Sequence, residues 1–392
     1  MTGTIPFLDL ASDFSEVEAD ARARIDDVLA RQQFVLGPQT AQLETRLREI
    51  SGSRHAVACS SGSDALLLAL AALQLGRGDA VVVPGFTFFA TAGAVARAGA
   101  QPVFCDIDPR TFMAGGAELD AAIDNEFDAH GGALRHRRSG ATLRALIPVH
   151  LYGRAAAMEE VVAVAAARGL AIVEDAAQAI GATIDDRWVG RFGDIGCFSF
   201  YPTKNLGGAG DGGLLLTDDD ELAARLRRLR IHGASQADPY VHHEVGINAR
   251  MGELQAAVLN AKIVRLQAWT SERRRVAARY LERLAQFACG DRLALPVVVA
   301  ASQHVWHQFA VRVPGNRDKV AAHLEAAGIA ARVFYPEPLH LQPCFADLGY
   351  LAGDLPECER AAADVLCLPI YPSLCNDDVD RVCDALAAAL RA

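Results

Sequence analysis

Lys204 stands in the stretch GDIGCFSFYPTKNLGGAGDGG, residues 193–213, and its neighbours suit an amine that reacts. The apolar run Ile195, Cys197, Phe198, Phe200 reads as a buried strand, and Tyr201-Pro202 ends it, because the residue before proline avoids helix. Lys204 therefore falls on a loop at a strand end. Loops held by a rigid scaffold carry chemistry, and an amine beside apolar groups loses hydration, which lowers its pKa and frees its lone pair. The competing reading is a solvated surface lysine, the ordinary state of that residue. Asp175 closes a second apolar strand, 170–173, where an unpaired carboxylate is costly. It either meets a cation or caps the following helix. Its neighbour Glu174 faces the other way, since side chains alternate along a strand.

A third element completes a possible site. His55–Cys59 reads as a strand, SSGSD as a small-residue turn and ALLLALAAL as an apolar helix starting near Ser63. Such a turn points backbone N–H groups and the positive end of the helix dipole at one place, which makes an anion cradle. The same residues also suit a plain N-cap, with Ser63 or Asp64 satisfying the first amides.

The rest of the chain alternates strand and helix. Strands at 80–84, 101–107, 143–153 and 171–177 alternate with helices at 89–97 and 158–168, so a largely parallel sheet between helices is the economical α/β architecture. Phe88, Asp175, Gln178, Ser199 and Lys204 all follow predicted strands, as one crevice at the strands' carboxyl ends requires. Entry helices span 14–32 and 39–50. Beyond a strand at 214–217 and a helix from about Asp218, a long, interruptible helix runs to about Phe287 and leads into a smaller α+β domain, with strands at 305–313 and 329–335 and helices from Arg317 and Asp377. The division falls at 1–250 and 251–392. The basic segment 125–142 reads as a surface insertion, or as a reach by Arg135, Arg137 or Arg138 toward a nucleotide phosphate.

FSFYPTKNLGGAGDGG, with VEDAAQAIGA, SSGSDALLLAL and PGFTFFATAGAV, resembles the DegT/DnrJ/EryC1/StrS sugar aminotransferases, and the motifs keep family order from about Phe7 to the C-terminus. The resemblance implies the pyridoxal-phosphate transferase fold (fold type I), with a mostly parallel seven-stranded sheet. It implies pyridoxal 5'-phosphate, which passes through pyridoxamine phosphate, as cofactor. Lys204 then holds the cofactor as a Schiff base and shuttles the proton, Asp175 keeps the ring nitrogen protonated, and Gln178 donates to the phenolic oxygen. Phe88 matches the stacking aromatic, with Phe86 and Phe89 left to the core. Gly62, Ser63, Asp64 and Ser199 match the phosphate ligands, Ser63 standing where many relatives carry Thr. Dehydrating members carry histidine at the position of Lys204, so transamination is implied. His150, Tyr152, Tyr335 and His340 are candidates on the substrate side, each with an ordinary buried hydrogen bond as the alternative. Asn248, in GINARMGELQAA, matches an asparagine that reaches the cofactor phosphate across a homodimer; capping its own helix is the alternative. The implied reaction carries an amino group from glutamate to a keto carbon of a nucleotide-linked deoxysugar. FSFYPTKNLG, VHHEVGINAR and LHLQPCFADLGY resemble enzymes acting at C3 of a dTDP-3-keto-6-deoxyhexose; C4 of such a sugar, a ketocyclitol, or a regulatory protein without activity are the alternatives.

Composition narrows the classes. A net charge of −10 over 392 residues argues against a polyanion surface such as nucleic acid needs. No apolar run reaches membrane-spanning length and the N-terminus lacks a signal pattern, so a soluble cytoplasmic protein is expected. Nine scattered cysteines without a C-x-x-C pair read as reduced core residues; a zinc site from the last four lacks the usual short spacing.

Overall fold

The computed structural model describes residues 3–235, 237–287, 290–299 and 302–391. Among the described residues the central sheet has nine strands, seven of them side by side in the order His55–Cys59, Gly213–Thr217, Ile195–Ser199, Ala171–Asp175, Thr142–Leu146, Asp79–Pro84, Gln101–Cys105. Within these seven, neighbours run parallel except at Gly213–Thr217, which is antiparallel to both strands beside it. Burial on both faces explains the unbroken apolar runs. The two-residue period of a strand then divides those runs between two packing layers. Val57, Leu215 and Cys197 point into the layer that holds Leu66 and Ala69 of the helix Gly62–Ala72. Ala58, Leu214, Leu216 and Phe198 point into the opposite layer, against Leu43, Leu47 and Leu259. That second layer is covered by the helices Pro38–Ser51 and Glu253–Lys262.

The C-terminal portion has its own apolar cluster around the antiparallel pair Phe309–Arg312 and Val365–Leu368. Tyr280 of the helix Leu266–Ala285 stacks on Phe309 at 4.7 Å and donates its hydroxyl to the Pro369 carbonyl at 2.9 Å. Helices Arg317–Ala326 and Asn376–Arg391 close this α+β unit. The long helix expected up to Phe287 is interrupted by a 3-10 turn at Ile263–Arg265. The first entry helix divides into Leu10–Ser15 and Glu18–Arg31. The strand expected at 329–335 reduces to single bridges, Ile329 with Ile5 and Arg332 with Cys367.

The basic insertion folds as a hairpin, Phe127–His130 with Ala133–His136, closed by Gly131 and Gly132, whose φ values of 59° and 82° suit the two-residue turns of hairpins. It joins the sheet through Arg135 opposite Thr142, at the start of a parallel strand and therefore away from the strands' carboxyl ends. Its arginines are engaged locally: Arg135 on the Gly140 carbonyl, Arg137 on Asp128 and the Asp124 carbonyl, Arg138 over the Tyr350 ring at 5.4 Å. The phosphate-reaching alternative for this segment is therefore replaced by a structural one.

Strand alternation sends Glu174 into a fully buried position behind the sheet's carboxyl end. One carboxylate oxygen takes the Gly190 N–H at 2.6 Å and His150 Nε2 at 2.9 Å; the other takes the N–H groups of Phe192 and Gly193 at 2.6 and 2.7 Å. Glu174→Gln turns a donor toward these donors. The substitution is expected to lower unfolding stability by on the order of 3 kcal/mol, read from urea titration.

Candidate active site

Lys204 lies half-buried on the loop that leaves Ile195–Ser199 and returns as Gly213–Thr217. The Phe200 N–H donates to Gly212 O at 2.8 Å and the Gly208 N–H donates to Phe200 O at 2.8 Å, so both ends of the loop are held to the sheet. Among the described residues the Lys204 amine has no hydrogen-bond partner. Burial brings its pKa down to about 8, opposed by the charge of Asp175. At pH 7.5 such an amine is about a quarter neutral, against roughly 0.1% for an ordinary lysine.

Asp175, buried at the end of its strand, accepts from the Thr91 hydroxyl at 2.7 Å and the Ala177 N–H at 3.2 Å. Burial raises its pKa, while the Thr91 bond, the Ala177 amide and the Lys204 charge work against the rise. The helix following Asp175 is absent, so no capping role competes: residues 176–181 form turns. Gln178 accepts the Tyr152 N–H at 2.8 Å and donates to the Tyr335 hydroxyl at 3.0 Å. Phe88, half exposed, sets its ring 5.8 Å from that of Tyr335. Phe86 is core as expected, whereas Phe89 is 45% exposed and stacks on Phe345.

At the cradle the helix begins at Gly62, and Ser61 is the cap: its hydroxyl oxygen accepts the Asp64 N–H at 3.0 Å. Ser63 and Asp64, expected as cap residues, sit inside the first turn. The Asp64 carboxylate accepts from the hydroxyls of Ser60 and Ser61 at 2.6 and 3.0 Å. The amides of Gly62 and Ser63 have no acceptor among the described residues. Ser199 lies against this turn; a Cβ on Gly62 would stand 2.7 Å from Ser199 Cβ, so glycine is what lets the cradle meet the lysine's strand.

Two candidates on the substrate side, His150 and Tyr152, are occupied elsewhere, and a third, His340, in part. His150 is fully buried, with Nδ1 accepting the Ala156 N–H at 3.0 Å and Nε2 on Glu174, leaving no nitrogen for a ligand. Tyr152 is buried and donates its hydroxyl to the Phe334 carbonyl. His340 is buried with Nε2 on Glu359 at 3.1 Å, while its Nδ1 has no partner among the described residues. Of the four, Tyr335 is the one whose side chain joins Phe88 and Gln178; Tyr152 reaches Gln178 through its backbone N–H. Asn248 is exposed, bridges Ile231 and accepts from Arg250 Nε at 2.8 Å. The next helix starts at Glu253 with Gly252 as its cap, which removes the capping reading of Asn248.

Thr91, Asn205 and His307 were not foreseen. Asn205 donates to the Val305 carbonyl at 2.8 Å and its Oδ1 meets His307 Nδ1 at 3.3 Å. Burial first, then the Lys204 charge, keeps His307 well below its ordinary pKa and hence neutral. Adjacency to Lys204 could have flagged Asn205; His307 lies 102 residues further along the chain, with no local signal.

A buried carboxylate that resists ionising, an unpartnered amine of lowered pKa and two free helix-start amides follow the carboxyl ends of three strands of one sheet, and the profile of the DegT/DnrJ/EryC1/StrS aminotransferase family matches residues 15–387. The chain belongs to that family. It is 43% identical over 99% of its length to a pleiotropic regulatory protein of Geobacillus stearothermophilus, covering 99% of that protein. It is 42% identical over 98% of its length to UDP-N-acetyl-3-dehydro-alpha-D-glucosamine 3-aminotransferase of Acidithiobacillus ferrooxidans, covering 98% of it. Among solved structures, S. venezuelae DesV in complex with a ketimine intermediate superposes with a TM-score of 0.91 at 40% identity, with 100% of each chain covered. The protein is thus a pyridoxal-phosphate-dependent aminotransferase, and its own residues fit the cofactor: an amine to carry it, a buried acid for its ring nitrogen and a cradle for its phosphate. No helix among the described residues is long and apolar enough to cross a membrane.

The aminotransferase without cofactor offers a direct check on Lys204. Reductive methylation of this lysine, followed by peptide mass spectrometry across pH, is expected to show a midpoint near 8, with labelling rising as pH rises through it. Asp175→Asn removes the charge that holds the proton on, so its midpoint is expected below that of the wild type.

Proposed function

We propose that the protein transfers an amino group from glutamate to C3 of a nucleotide-linked keto sugar, a dTDP-3-keto-6-deoxyhexose, with Lys204 as the amine that carries the cofactor and moves the proton. The convergence of Lys204 and Asp175 carries this reading: burial weakens the charge of each, so a cationic ring nitrogen gives the acid a partner while the amine stays nucleophilic. When bound, pyridoxal phosphate supplies the electron sink for cleavage at the donor α-carbon. Gln178 and Tyr335 form a hydrogen-bonded pair beside Phe88 that can orient the ring and the incoming sugar. Gly62, Ser63 and Ser199 line the phosphate end; the Asp64 N–H is taken by Ser61 and its carboxylate repels phosphate, so Asp64 serves the cradle by holding the Ser60 and Ser61 hydroxyls. The C3 assignment is supported by the likeness of FSFYPTKNLG, VHHEVGINAR and LHLQPCFADLGY to enzymes acting at C3 and by the Acidithiobacillus relative, which is named as a 3-aminotransferase of a UDP sugar.

Incubation with glutamate and a panel of 3-keto and 4-keto sugars on dTDP and UDP tests the substrate. Amination of the 3-keto dTDP sugar is expected, at least tenfold ahead of the others in kcat/KM. Turnover of a 4-keto sugar or a free ketocyclitol alone would overturn the assignment. Lys204→Ala is expected to abolish both turnover and the borohydride-sensitive visible band.

The proposed functional unit is a homodimer in which Asn248 reaches the cofactor phosphate of the opposite subunit. An exposed amide that, among the described residues, accepts from Arg250 and donates to none keeps its N–H groups available for a phosphate. Subunit exchange between Lys204→Ala and Asn248→Ala chains is expected to restore activity, because each mixed dimer then holds one site with both residues intact. Mixed dimers that regain nothing beyond the residual Asn248→Ala activity would place Asn248 in its own site or outside both.

A further inference from the structure

Behind the Lys204 loop lie two buried cations. Lys262, near the end of the helix Glu253–Lys262, is 7% exposed and donates its ammonium to the Gly207 carbonyl at 2.6 Å, three residues past the reactive lysine. Arg273, on the helix Leu266–Ala285, is 4% exposed and donates to the carbonyls of Trp306 at 3.2 Å and Ile370 at 2.9 Å. Trp306 precedes His307, and Asn205 ties the Lys204 loop to Val305 and His307. The loop is thus held on one side at Gly207 and on the other through the 305–307 segment. A Cβ on Gly207 would stand 2.2 Å from the Pro202 carbonyl, so the turn containing Lys204 is already closed upon itself and has little slack.

Asp13, buried on the helix Leu10–Ser15, is the acid within electrostatic reach of both cations. Burial pushes Asp13 up to about 6; Arg273 and Lys262 oppose that rise, while Asp9 and Glu16 add to it. Burial in turn lowers Lys262 and Arg273, and Asp13 is the charge that works against it in both. Buried cations are costly unless compensated and hydrogen-bonded, so two of them on backbone carbonyls around one loop mark a built feature.

We propose that Lys262 and Arg273, sharing Asp13 as counter-charge, are positioning residues that clamp the two backbone segments around Lys204 and so hold its amine in the desolvated place next to Asp175. The clamp acts through the loop and touches neither cofactor nor substrate. Asp175 and His307 are the titratable groups facing Lys204, and the clamp fixes the distance to both.

The inference rests on Lys204 being the cofactor-bearing amine, which borohydride reduction and peptide mapping of the holoenzyme test separately. The clamp itself is read in cofactor-free protein. In Lys262→Met the methylation midpoint of Lys204 is expected to move up from about 8 toward that of an ordinary lysine, reducing labelling at pH 7.5 about threefold. Pyridoxal-phosphate affinity by fluorescence titration is expected to weaken about tenfold. Asp13→Asn, which preserves shape, is expected to shift both in the same direction by less, and stands in if Lys262→Met does not fold. A folded variant with a lower unfolding temperature but a wild-type Lys204 midpoint and wild-type cofactor affinity would show that these charges only stabilise the fold, and would overturn the proposal.

Discussion

Everything at the reactive end of the sheet hangs on the two acids that finish the strand Ala171–Asp175. Their side chains leave on opposite faces because a strand alternates. Glu174 goes backward and gathers three backbone N–H groups from 190–193 together with His150. Those residues form the turn that leads into the lysine's strand, so the carboxylate fixes where Ile195–Ser199 begins. Asp175 goes forward into the crevice that the same strand reaches at its other end. One dipeptide therefore anchors the scaffold with one side chain and supplies chemistry with the next.

Much of this could be read from the chain because it is written locally. Apolar runs ended by proline or by paired acids marked the strands, and the helix at 158–168 appeared with its observed limits. The alternation that placed Glu174 behind and Asp175 in front needs no tertiary information. What escaped were contacts made by distant segments. Thr91 meets Asp175 across 84 residues, and His307 comes from a stretch whose pattern spells only a strand. His150 differs: its polar ring follows a predicted strand, but both its nitrogens are taken by nearby chain, Glu174 and the Ala156 amide. At Asn248 a good cap residue stood four positions ahead of Gly252, the position where the helix is in fact capped.

Electrostatics gives the site an unusual balance for a chain of net charge −10. The interior around the loop carries Lys204, Lys262 and Arg273 with Asp175 and Asp13 among them, and burial weakens the charge of all five. An acidic exterior and a locally cationic interior separate the two tasks of staying dissolved and receiving an anion. The anion meets its positive potential only after entering, where water no longer screens it.

The reversed strand Gly213–Thr217 has a metric consequence. It lies between the strand that feeds the cradle and the strand that feeds the lysine, pairing Cys59 with Gly213 on one side and Ser199 with Gly213 on the other. The strands that feed cradle and amine therefore lie two hydrogen-bonded strand spacings apart, about 10 Å between their backbones. The sheet works as a ruler whose graduations are backbone hydrogen bonds. Side-chain substitution can change what is gripped at either mark but not the interval between the marks. Diversification in this architecture is thereby pushed outward, to the segments around Tyr335 and Phe88, where no ladder sets the length.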